Sequence, residues 1–97
     1  MPIALRPRQR ARLKARAPAL EPTVLVGHAG ASDAVVAEID RALSAHGLIK
    51  VKLAGDRVER KALAAALSAR TDATVVQQVG RIVVLWRPRP DDEPLED

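Results

Sequence analysis

The stretch Val24-Leu25-Val26-Gly27-His28-Ala29-Gly30-Ala31-Ser32 decides the fold class, because it passes from an apolar run through a glycine-bounded turn into the start of a helix. Thr23 to Val26 predicts a short strand. Ser32 is a natural N-cap, Val35, Val36, Ile39 and Leu43 recur at helical spacing, and Gly47 offers a left-handed stop, so 32–46 is expected to be helical. A strand that turns directly into a helix opens a β-α-β unit. Gly27 and Gly30, three apart, let backbone take positive φ and approach a ligand closely, and the helix behind them presents unpaired N–H groups and a positive dipole end. That is a shape for phosphate, although a strand-to-helix turn also uses glycine for conformational reasons alone.

Working outward, Leu48 to Leu53 reads as the second strand, with Ile49, Val51 and Leu53 on one face, Lys50 and Lys52 on the other, and Leu48 out of pattern. One core face and one basic face are expected. Asp56 with Glu59 forms a capping box for a helix over Arg57 to Arg70, whose Leu63, Ala66 and Leu67 turn inward and whose first turn also carries Arg57, Arg60 and Lys61. Thr74 to Val79 and Ile82 to Trp86 are β-branched runs joined at Gly80 and Arg81, a tight hairpin. Upstream, Pro7 to Ala17 predicts a helix stopped by Pro18. It carries Arg8, Arg10, Arg12, Lys14 and Arg16 just after Arg6, with Arg8, Arg12 and Arg16 along one stripe and only Leu13 and alanines for an apolar face. Such a helix serves as a solvated cover over a sheet edge or as a phosphate-contacting arm. The expected fold is α/β: a compact single domain in the order α-β-α-β-α-β-β, with a four-stranded mixed sheet and three helices, right-handed parallel crossovers and a final antiparallel pair.

With 97 residues there is room for one domain, assigned to 1–90, and 91–97 reads as an acidic, disordered tail. The net charge of +4 conceals an asymmetry: residues 1–90 hold sixteen basic against seven acidic groups, so the body is near +9. A body of that sign attracts polyanions and speeds their encounter. The absence of cysteine excludes disulfides and thiolate chemistry. Neither a secretory signal nor a membrane span is expected, which makes a cytoplasmic monomer the default.

Catalytic constellations are missing from the sequence. Ser32, Ser44 and Ser68 have no evident His and Asp partners, and the glycine loop lacks the lysine and hydroxyl of a P-loop. His28 and His46 stand far apart without ligand spacing, so neither a metal nor a cofactor is expected, and His46 suits a helix C-terminus. Trp86, the one aromatic residue, is expected to pack in the core or at a sheet edge rather than stack on a base. A binding protein remains. The GxxG of Gly27 to Gly30 is the kind of loop with which KH-type modules clamp a nucleic-acid backbone.

The basic first helix, Leu20 and Pro22, Gly27-His28-Ala29-Gly30, Val36-Ala37-Glu38-Ile39, Leu48-Ile49-Lys50-Val51-Lys52-Leu53, Gly80-Arg81 and Val83-Val84-Leu85-Trp86-Arg87-Pro88 together resemble the CRM domain (chloroplast RNA splicing and ribosome maturation), most closely its bacterial YhbY-like members. The resemblance implies a fold similar to the C-terminal domain of a bacterial translation initiation factor. It also implies binding to ribosomal RNA of large-subunit precursors through the GxxG loop and neighbouring basic surface. On that reading Gly27, His28, Ala29 and Gly30 hold backbone phosphate, and Arg8, Arg12, Lys14, Lys50, Lys52 and Arg81 supply charge. Departures from the family pattern are Ala29 between the glycines and Ala17 to Pro22, where a histidine is missing and Glu21 reverses a charge; Asp33, an acid the family tolerates there, also sits close to the loop. The alternative is a protein-interaction module that docks a ribosomal or translation protein through its hairpin or acidic tail.

Overall fold

A computed structural model describes residues 2–92 and residue 95 of the chain. The elements follow the expected order: α1 (Pro7–Arg16) with a 3-10 turn (Ala17–Ala19), β1 (Pro22–Val26), α2 (Asp33–His46), β2 (Leu48–Leu53), α3 (Arg57–Thr71), β3 (Thr74–Val79) and β4 (Ile82–Trp86). Local signals explain most boundaries. The Ser32 hydroxyl accepts from the Val35 N–H at 3.3 Å to start α2, and the Asp56 carboxylate accepts from Glu59 N–H at 2.8 Å to start α3. The third helix runs one residue beyond the expected end because Asp72, with φ 56°, takes the left-handed cap.

The sheet order is β1-β2-β4-β3, with β1 parallel to β2 and the other two pairings antiparallel. The steps from β1 to β2 and from β2 to β3 therefore go the same way across the sheet. Crossovers of one hand then place both connecting helices on one face. Ile39, Ala42 and Leu43 of α2 and Ala64 and Leu67 of α3 accordingly share a core with Val24, Val26, Ile49, Val51, Leu53, Val83 and Leu85.

The opposite face is where expectation needs correcting. Leu48 does not break the strand's alternation; it shares a face with Lys50 and Lys52, and that face is apolar at one end. There Leu13 and Ala17 close a second core over Leu48, Val76, Val84 and Trp86. Leu13 is fully buried, so the thin apolar face of α1 suffices to seat it. Arg10 is spent in the same contact: its guanidinium donates to the carbonyls of Val75 and Val76 at 2.8 and 2.5 Å, where β3 bulges. The helix thus covers the sheet while Arg8, Arg12 and Lys14 stay exposed.

Arg87 secures the exit from β4. It reaches the Asp40 carboxylate at 2.6 Å, the Thr71 carbonyl at 2.8 Å and the Ser44 hydroxyl at 2.9 Å, joining the ends of α2 and α3. Arg89 then binds Asp92, whose carboxyl it holds below the usual carboxylate range by hydrogen bonding. Of the tail 91–97, expected to be disordered, residues 93, 94, 96 and 97 lie outside the described residues, and the Leu95 carbonyl accepts from Gln9 at 3.2 Å. Among the described residues no helix is long and apolar enough to cross a membrane.

Two outcomes follow. Leu13→Ala, emptying a fully buried site in the smaller core, is expected to cost about 2–5 kcal/mol in urea denaturation. Asp56 is held below its ordinary value chiefly by the Glu59 N–H; its cap is therefore in place above the unfolded carboxylate pKa and lost as pH falls through the lower folded one. The stability deficit of Asp56→Ala should be present at pH 7 and close progressively in strong acid, as read from thermal melts across pH.

Candidate nucleic-acid interface

Residues 27–30 form one tight turn: Gly30 N–H donates to the Gly27 carbonyl at 3.1 Å, and Ser32 N–H donates to the Gly30 carbonyl at 2.9 Å. His28 and Ala29 occupy the exposed middle of the turn. Among the described residues nothing takes their amide N–H groups, which are left for water or a ligand. The two glycines, expected to behave alike, do not. Gly30 needs its lack of a side chain because φ is +68°, whereas Gly27 has no positive φ, and a Cβ added there meets nothing within 4 Å. Folding makes no demand for glycine at 27.

The surroundings of the loop are asymmetric in charge. A shallow cleft of about 290 Å³ separates it from α3, lined by Gly27, His28, Gly30 and Leu63 but also by Glu59, whose carboxylate disfavours phosphate on that flank. On the side toward α2, Asp33 is paired with Arg70 at 2.7 Å, and Arg70 also donates to the Ala31 carbonyl at 2.5 Å. The acid beside the loop is thereby paired, and a cation is held next to it. Arg70 was not among the expected residues, because its partners lie 37 and 39 positions away and no local pattern marks it.

Of the expected cations, the structure gathers some and separates others. Ala54 N–H donates to the Val26 carbonyl and Leu53 N–H to the Arg81 carbonyl, which brings the glycine loop, the end of β2 with Lys52, and the hairpin to one end of the sheet. Lys50 is half-buried further down the same strand. Arg8, Arg12 and Lys14 are remote, since α1 packs along β3, the opposite edge from β1. Three strand spacings, about 14 Å, lie between the two edges. A second group of cations was noted in the sequence but not assigned to the site. Arg57, Arg60 and Lys61 line a hollow of about 440 Å³ with Gln78 and Gly80, where Arg60 is tied to the carbonyls of Gly80 and Gly55 at 3.0 and 2.6 Å. Positive groups in the first turns of α1 and α3 oppose the helix dipole, so local helix stability does not account for their placement.

Residues 5–87 match the model of the CRS1 / YhbY (CRM) domain. A Haemophilus influenzae protein named as an RNA-binding protein is 44% identical over 82 residues, covering 84% of this chain and 83% of its own. A Pseudomonas aeruginosa protein, named a probable RNA-binding protein, is 37% identical over 89 residues, with 91% and 86% covered. The solution structure of a Staphylococcus aureus protein, described as a candidate RNA binder, superimposes with a TM-score of 0.83 at 28% identity, covering 96% of this chain and 98% of the other.

The contrast between the glycines has a measurable consequence. Gly27→Ala should leave stability within about 0.5 kcal/mol of the parent, whereas Gly30→Ala should lose about 1–2 kcal/mol to left-handed strain. Equal losses in chemical denaturation would show that both positions are conformational.

Proposed function

The chain belongs to the CRS1 / YhbY (CRM) domain family, and from that membership we propose that it binds ribosomal RNA of large-subunit precursors and assists their assembly. The backbone of the RNA is held by Gly27, His28, Ala29 and Gly30, with Lys52, Arg81 and Arg70 supplying charge at the loop end of the sheet. Arg8, Arg12 and Lys14 give a second contact at the far edge, and Lys50 lies between. The observation that carries this reading is Gly27: an exposed glycine that the fold does not require, beside a turn whose middle amides are unclaimed. The names of the relatives support its RNA-binding part, as does a body near +9. Recognition is of backbone and shape first, because the site holds no aromatic platform and Trp86, 8% exposed, is part of the second core. The chemistry is association without bond-making.

Gly27→Asp tests the loop without the strain that any side chain meets at Gly30. It is expected to stay folded and to weaken binding to ribosomal RNA fragments at least tenfold, since a carboxylate would stand where phosphate must approach. Neutralising a phosphate-contacting cation such as Lys52 or Arg81 should lower the slope of log affinity against log salt by about 0.7. In a lysate gradient the protein should follow large-subunit precursors and leave them after RNase treatment. Comigration that survives RNase would instead favour docking to a protein.

A further inference from the structure

Three helices cannot cover both faces of this sheet equally, and half of the α1 face is bare. In register across all four strands lies the row Leu25, Lys52, Ile82, Val79, and next to it, at the margin of the second core, the row Lys50, Val84, Gln77, whose Val84 is buried and whose Lys50 and Gln77 are half-buried. Leu25 is 70% exposed and Val79 61%, two of the few large apolar side chains left in solvent. Beside the 3-10 turn the same face forms a cleft of about 340 Å³ walled by Pro18, Lys50, Gln77, Val79, Ile82 and Val84. Its walls are aliphatic, and its two polar side chains, Lys50 and Gln77, make no side-chain hydrogen bond or ion pair within the described chain.

We propose that this bare half-face binds unstacked nucleobases of a single-stranded RNA, with one base seated in the cleft against Val79 and Ile82 and its edge presented to the Gln77 amide. The inference rests on the RNA-binding reading above and adds a base-binding subsite to it. Position argues for it first. Leu25 is two residues before Gly27, and the other end of the row lies on β3, the strand along which α1 carries Arg8 and Arg12, so a strand held at both edges can pass over these rows. Chemistry argues second. The rows set cations (Lys50, Lys52) among aliphatic groups and one free amide, and a single strand offers the complement: phosphates, apolar ring faces, and edges with donors and acceptors. A duplex keeps its ring faces stacked away, so it does not fit. Size is in keeping, since the cleft lies at the small end of ligand pockets.

The test uses the full chain and two fluorescently labelled 12-mers, one of oligouridine and one of the same ribose-phosphate backbone without bases, titrated by anisotropy. The base-bearing strand should bind roughly five- to tenfold more tightly. Val79→Ser, at an exposed position that does not threaten folding, should bring that ratio close to one while leaving affinity for the abasic strand and the salt slope unchanged. Gln77→Ala should alter the ranking among oligomers of the four bases. By contrast, Lys52→Gln should weaken both strands alike. Equal binding of the two 12-mers by the parent protein, or an unchanged ratio in Val79→Ser, would overturn the subsite and leave the backbone reading intact. Salt-independent or absent binding of both strands would overturn the RNA reading and the subsite with it, and turn attention to a peptide as the occupant of the cleft.

Discussion

Two helices cover one face of the sheet and one helix covers the other, because β1, β2 and β3 advance across the sheet in one direction and β4 returns between the last two. The central pair, β2 and β4, is consequently buried from the α2–α3 side along its length but from the α1 side only from the Leu48–Trp86 end as far as Val84. Leu13 is the residue on which that second burial turns. It is fully enclosed, and with it α1 gains a fixed place on the sheet.

The fixed place of α1 also determines the electrostatics. Arginines in this chain divide into those that hold backbone and those that face water. Arg10 and Arg60 donate to backbone carbonyls, and Arg70, Arg87 and Arg89 hold a carbonyl and a carboxylate each. Arg8, Arg12, Lys14, Lys52 and Arg81 are exposed. The planar fork of arginine suits the first task, which a lysine performs less well. A high arginine content is therefore partly architectural, and the net charge of the body overstates the number of cations available to a ligand.

Element identity was legible in the sequence because it is written in short-range pattern: the alternation of 48–53, the capping box at Asp56 and Glu59, the glycine after α2, and the β-branched runs flanking Gly80. Strand order was not, since pairing β4 between β2 and β3 is a choice among long-range contacts that periodicity does not encode. The same limit hid Arg70 beside the loop and Arg10 at the β3 bulge, each joined to partners tens of residues away. It also made Gly27 and Gly30 look equivalent, because only backbone angles distinguish a glycine the turn requires from one it does not. Leu48 was misjudged for a related reason: a face labelled by its two lysines conceals that its other end lies under a helix.

The bulge in β3 has a bearing on how the molecule behaves at high concentration. An edge strand presents a ladder of free carbonyls and amides that invites another chain to add itself, and this one also carries the bare Val79. The Arg10 guanidinium caps two successive carbonyls at the point where the bulge already interrupts the ladder, placing a cation on the rung that a foreign strand would need first. The helix that covers part of the sheet thus also guards the edge beside it, through a charged side chain held against the β3 backbone.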